Sequence, residues 1–198
     1  NLVLTDLGSL DGFVGTEVSI TGGFTNIDAY VGSSASSDSL TGRNVATTWN
    51  IDGSNLYVNG SNDLSYSGVE ILIGGSDSDI FNISGTRAFT LKGEAGNDTI
   101  NFANGAVLTG ALDGGSGSDL LSFAGYTTSR SVTLTNALAD GFSGTTSTVS
   151  AGFAGIDMLV GSSATSDTLK GMNQDSVFTL EPINSVTVNS LVLTFSAF

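Results

Sequence analysis

The sequence predicts an all-β protein, and within that class a single-stranded parallel β-helix (a β-solenoid) with about 20 residues per coil. Three observations lead there. The 198 residues are 39% hydrophobic and only 12% charged, with 27 glycines and one proline, so the chain packs a core from short elements joined by glycine turns. Lys, Arg, Glu and Gln, the good helix formers, are scarce. Short runs of alternating apolar residues, among them EILIG, FTLKG, TINFA and SVTLT, stand between the turns and read as strands. Finally, a turn motif returns at coil length: GGSDSDIFN from Gly74, GEAGNDTIN from Gly93 and GGSGSDLLS from Gly114 place Asp79, Asp98 and Asp119 at spacings of 19 and 21 residues. An antiparallel sandwich also has short strands at regular spacing. It has no reason to repeat Gly-x-x-x-x-Asp once per coil, whereas stacked coils set equivalent residues above one another.

Each part of the coil has a local cause. A strand, a glycine turn, a second strand and a second turn fit in about 20 residues. Glycine at the corner tolerates positive φ and lacks the Cβ that would strike the coil above. Aspartate accepts hydrogen bonds from N–H groups of the turn. The large apolar residue two positions later, Phe81, Ile100 or Leu121, opens the next strand and enters the core.

A longer period lies over this one. GGFTNIDAYVGSSASSDSLTG (22–42) returns ungapped as AGFAGIDMLVGSSATSDTLKG (151–171), with 13 of 21 positions identical at an offset of 129 residues. The offset also sets Trp49 opposite Phe178, Ile51 opposite Leu180, Tyr66 opposite Phe195 and Val69 opposite Phe198. LTD at 4–6 matches LTN at 134–136 with a one-residue slip. Residues 1–198 are thus expected to form one continuous solenoid, with a first copy at 1–130 and a partial second copy at 131–198, as in a piece of a longer tandem array.

Composition narrows the function. The formal charge is −14, with five basic and 19 acidic residues, which argues against nucleic acid or an anionic membrane surface as partner. No apolar run is long enough for a membrane-spanning helix. Without histidine or cysteine the Ser-His-Asp triad, disulfides and most zinc chemistry are absent. Divalent cations are the natural counter-ions.

Residues 114–122 resemble the calcium-binding repeat of RTX proteins, G-G-x-G-x-D-x-U-x with U large and apolar, at every specified position. The two upstream copies depart from it at Glu94 and at Asp77, and each departure adds a carboxylate. The resemblance makes Asp77, Asp79, Glu94, Asp98 and Asp119 candidate calcium ligands. The structural alternative treats the same turns as hydrogen-bonded corners, because the nine-residue RTX repeat is interrupted here by half-coils without the motif. SSASSDSLTG and SSATSDTLKG, with Asp38 and Asp167, have lost the glycines and read as structural.

Over nearly the whole chain, VGSSASSDSLTGRNVATTWNIDGSN, SYSGVEILIGGSDSDIFNISG and the run from LKGEAGND to SVTLTN resemble the hemagglutinin-like or filamentous adhesin repeats of very large bacterial secreted and surface proteins. The resemblance implies an extracellular or cell-surface setting and a non-catalytic role as stalk, filament, surface-layer element or adhesin. Two other classes are weighed. A polysaccharide-acting β-helix enzyme would use Arg87 and Lys92 near Glu94 and Asp98, or the Asp77–Asp79 pair. A glycan-binding module would expose Trp49, Tyr57, Tyr66 or Tyr126, although the match of Trp49 to Phe178 reads as a core position. The end strands NLVLT and SLVLTFSAF are expected to pair with neighbouring repeats or with another copy of the chain.

Overall fold

The computed structural model describes residues 1–180 and 183–198. The first part of the chain forms β1 (Leu2–Leu7), β2 (Phe13–Glu17), β3 (Phe24–Ile27), β4 (Ala29–Val31), β5 (Ser39–Thr41), β6 (Thr48–Ile51), β7 (Leu56–Asn59) and β8 (Asn62–Ser67). The middle forms β9 (Ile71–Ile73), β10 (Ile80–Ile83), β11 (Thr86–Arg87), β12 (Thr90–Lys92), β13 (Thr99–Ala103), β14 (Val107–Leu108), β15 (Leu112–Asp113) and β16 (Leu120–Gly125). The last part forms β17 (Ser131–Leu138), β18 (Gly141–Thr146), β19 (Val149–Ile156), β20 (Met158–Val160), β21 (Thr168–Lys170), β22 (Val177–Thr179), β23 (Ser185–Val188) and β24 (Leu191–Ser196). The fold is all-β, with no helix among the described residues.

Two large mixed sheets hold these strands. One follows β21-β17-β18-β19-β15-β12-β9-β5-β1-β2-β3, with β11 and β14 to the side; the other follows β22-β23-β24-β20-β16-β13-β10-β6-β7-β8-β4. Alternation decides which face is buried. In β6, β10, β13 and β16, the residues Trp49, Phe81, Ile100 and Leu121 point inward and pair in parallel register, and Leu121 continues to Leu159 in β20. The other sheet aligns Leu40, Leu72, Leu91, Leu112 and Phe153 in the same way. All ten belong to one buried cluster, and each such side chain contributes roughly 1.5–3 kcal/mol by leaving water.

The sheets depart from the wholly parallel coil that the sequence predicts. Antiparallel hairpins interrupt both, at β1-β2-β3 and β17-β18-β19 in one sheet and at β6-β7-β8 and β22-β23-β24 in the other. At β7–β8 and β23–β24 the cause is a tight turn. Asn59 pairs with Asn62 across Gly60 and Ser61, and Gly60 has φ of 66°. At the repeat-related turn, Asn189 and Ser190 both have positive φ and Val188 pairs with Leu191. A two-residue turn returns the chain beside itself, which permits only antiparallel pairing. The 129-residue relation survives this: β1 pairs with β5 as β17 pairs with β21. The one-residue slip falls in the turn before β2, since Leu2 matches Val132 in these pairings while Phe13 matches Phe142.

Candidate functional site: a ladder of buried aspartates

Each Gly-x-x-x-x-Asp turn leads into a strand of the second sheet, and parallel pairing brings the aspartates of successive turns together. Asp79, Asp98 and Asp119 are buried. The Asp79 N–H donates to Asp98 Oδ1 at 2.7 Å, the Asp98 N–H to Asp119 Oδ1 at 2.8 Å, and the Asp119 N–H to Asp157 Oδ2 at 3.0 Å. At the other end the Thr47 N–H donates to Asp79 Oδ1 at 2.9 Å, and the Thr47 hydroxyl donates to the same oxygen. Backbone carbonyls complete the rungs: Thr99 N–H donates to Asp79 O, Leu120 N–H to Asp98 O, and Met158 N–H to Asp119 O, each at 2.9 Å. Five turns that lie far apart in the chain are thus joined by one hydrogen-bonded row.

The motif's first glycine is required by this row, and the requirement is space. A Cβ on Gly93 would stand 2.1 Å from Asp98 Oδ2 and 2.2 Å from Gly114 O; on Gly74 it would stand 2.7 Å from Asp79 Oδ2. Gly114 is closed in by Asp119 and by Gly155 O in the same way. The five-residue interval from glycine to aspartate is the distance over which the turn folds the carboxylate back onto its own first Cα. Gly96 and Gly117 need glycine for two reasons, φ of 117° and 141° and backbone atoms of the adjacent layer at 2.5 and 1.7 Å from where a Cβ would stand.

The second carboxylate oxygens differ along the row. Asp79 Oδ2 accepts the Gly75 N–H at 2.8 Å, whereas Asp98 Oδ2 and Asp119 Oδ2 are buried without a hydrogen-bond partner. Burial pushes the Asp98 carboxyl up to about 7, and the neighbouring Asp119 and Asp79 charges add to the rise. Burial likewise raises Asp119 to about 6, with Asp157 and Asp113 adding to it. Asp79 and Asp157 are also raised by burial, Asp79 against the hydrogen bonds from Thr47 and Gly75.

Of the five residues the sequence nominates, the structure brings three together, Asp79, Asp98 and Asp119. Asp77 and Glu94 are exposed; Asp77 accepts the N–H of the adjacent Ser78, and Glu94 occupies positive φ at 75°. Calcium would require oxygens converging on one point. The ladder carboxylates are instead each spent on a neighbouring backbone N–H, and among the described residues no group of three or more Asp, Glu, His or Cys stands close enough to hold a metal. Asp77 and Glu94 thus stand apart from the three ladder carboxylates, of which Asp98 and Asp119 each keep one oxygen without a partner.

The groups weighed for catalysis and for glycan binding are placed elsewhere. Arg87 Nε donates to the Ser84 carbonyl at 2.7 Å, while Asp98 is turned into the ladder. Trp49, Tyr57, Tyr66 and Tyr126 are all buried, so none is presented as a glycan-binding module would require; Trp49, as its match to Phe178 suggests, is a core residue packed on Tyr57, Tyr66 and Phe81. The same sheet carries a second polar row that the turn motifs do not mark. Asn50, Asn82 and Asn101 align in register, with Asn82 Nδ2 donating to Asn50 Oδ1 and Asn101 Nδ2 to Asn82 Oδ1 at 3.2 and 3.1 Å. They line a cleft of about 420 Å³ with Ser122. Its signal was in the sequence, as an asparagine flanked by apolar residues in TWNI, IFNI and TINF. The sequence matches no protein-family model, and no curated protein matches it.

Proposed function

We propose that the chain is a segment of an extracellular β-solenoid rod, a non-catalytic stalk or filament element of a bacterial secreted or surface protein. The observation that carries this reading is the aligned stack Trp49–Phe81–Ile100–Leu121–Leu159, with the aspartate ladder beside it. Equivalent residues meet in space although 19 to 38 residues separate neighbouring ladder positions in the chain. Such a stack gains length with each added repeat while each layer depends only on its neighbours. A spacer uses that property; a catalytic centre has no use for it. In this reading the ladder's hydrogen bonds join the layers, and calcium at its carboxylates is the additional stiffening that the RTX resemblance implies.

The test is length. From the β3/β4 pair to its repeat counterpart, β19/β20, the two paths advance by seven strands, so inserting one further 129-residue unit lengthens the particle by about 34 Å. Electron microscopy of chains with one and two added units measures this increment. Growth in width, or into separate globules, overturns the rod.

The Asn50–Asn82–Asn101 cleft favours a second reading, glycan binding along the side of the rod. Binding to a glycan array that is lost in Asn82→Ala without a change in melting temperature supports it.

A further inference from the structure

The two ends of the sheets present surfaces that are interior elsewhere in the same molecule. β3 and β4 close the two paths at one end, and β21 and β22 at the other, each with a single main-chain neighbour among the described residues. Large apolar side chains stand open on these terminal segments: Val31 is 73% exposed at the first end, and Val177 64% and Leu180 70% at the second. The repeat shows what such faces accept. The counterparts of β3 and β4 are β19 and β20, which are covered in parallel by β15 and β16. The counterparts of β21 and β22 are β5 and β6, which are covered in parallel by β9 and β10.

We propose that two copies of this chain join head to tail, the β21/β22 face of one stacking in parallel on the β3/β4 face of the next. The inference rests on the rod reading and adds an interface to it. Its register follows from the internal one. Leu120 pairs with Met158 and Leu121 with Leu159; carried through the aligned strands and the 129-residue offset, this sets Val177 opposite Ala29, Phe178 opposite Tyr30 and Thr179 opposite Val31. Leu112 pairs with Phe153, which sets Leu169 opposite Phe24.

The ladder identifies the occupant as a second copy. Asp157 accepts the Asp119 N–H, and its counterpart Asp28 is exposed, with no hydrogen bond to its carboxylate among the described residues. In the stacked pair, Ser176 occupies the position of Asp119 and offers its N–H to Asp28. Exposed Lys170, one of five basic residues on a chain of net charge −14, comes opposite Thr25 in the layer that holds Asp28. One chain carries both complementary faces, so the contact is heterologous and propagates into an open filament.

The test uses the whole chain and two surface variants, Val31→Lys on one face and Val177→Lys on the other, with folding checked by circular dichroism. Sedimentation over a concentration series is expected to show growing assemblies for the unaltered protein. Either variant alone raises the concentration needed for assembly about tenfold or more. An equimolar mixture of the two variants forms dimers and nothing larger, because each supplies the face the other lacks. An unaltered protein that stays monomeric, a folded variant that assembles normally, or a mixture that stays monomeric overturns the proposal. A monomer that still lengthens with added repeat units sinks the interface alone; one that does not lengthen sinks the rod reading as well.

Discussion

Asp98 is the residue at which the ladder is most sharply tested. Its carboxyl is held up to about 7 and that of Asp119 up to about 6, against about 4 in an unfolded chain. The folded state therefore keeps protons that the unfolded state has released. The stabilisation is fully present below the unfolded value and is lost as pH rises through about 6 to 7. Urea unfolding is expected to show a higher midpoint at pH 5 than at pH 8, and Asp98→Asn, which cannot ionise, reduces the difference. Below about pH 4 the slope reverses, because Asp38, lowered chiefly by its hydrogen bond from the Ser33 hydroxyl, loses its charge there. A midpoint that rises steadily from pH 5 to 8 contradicts the buried ladder. The glycines give a second comparison. Gly93→Ala drives a Cβ against backbone and carboxylate and is expected to cost about 3 kcal/mol or more. Gly105→Ala meets nothing within 4 Å at φ of +73° and costs only its conformational strain, about 1 kcal/mol. Equal losses in the two variants would mean that space is not what the first glycine supplies.

At the scale of the element, the turn and the strand after it form one unit, and the ladder joins units. Asp98→Ala leaves the buried Asp79 N–H without its acceptor, which costs about 1–3 kcal/mol. Asp77→Ala removes an exposed cap and changes stability by less than about 0.5 kcal/mol. If the turns were calcium sites, both substitutions would act through the metal. Melting at the same temperature in EGTA as in millimolar Ca²⁺ would leave the turns as hydrogen-bonded corners; a rise of several degrees with Ca²⁺, lost in Asp98→Ala, would make the turns metal sites. The strands were legible in the sequence wherever alternation ran cleanly, as in TINFA and SVTLT. The return turn at NGSN carries a Gly-Ser hairpin signal at Gly60 and Ser61, which competes in the same chain with the parallel period of the Gly-Asp motifs.

For the whole molecule, protection should follow position along the stack. Amides of β9, β10, β12 and β13, flanked by strands on both sides, are expected to exchange slowest, and those of β3, β4, β21 and β22 fastest in the monomer. Assembly should slow the end strands selectively. End strands as protected as the centre at a concentration where sedimentation shows only monomer would refute the layered order. The coil-length spacing and the 129-residue repeat were visible beforehand, because each is a periodicity along the chain; the sheet ends were not, since NLVLT and SLVLTFSAF, expected at the edges, are β1 and β24 with a strand on either side, and the hairpins put β3, β4, β21 and β22 at the ends instead. The mixed character of the sheets was not, since the choice between continuing a coil and doubling back is made by a few turn residues.

The sequence by itself determined the all-β class, the inward Phe81, Ile100 and Leu121, and the grouping of Asp79, Asp98 and Asp119 into one recurrent feature. Local chemistry suffices there: alternation selects the buried face, and glycine with aspartate selects the turn. Only the tertiary structure decided what the aspartates do. A carboxylate beside a glycine turn suits an outward cation as well as an inward N–H, and the choice depends on the layer above. Here one neighbouring layer presents a backbone N–H at 2.7 to 3.0 Å, and the layer on the other side brings its carbonyls, Gly114 O and Gly155 O, close against Gly93 and Gly114.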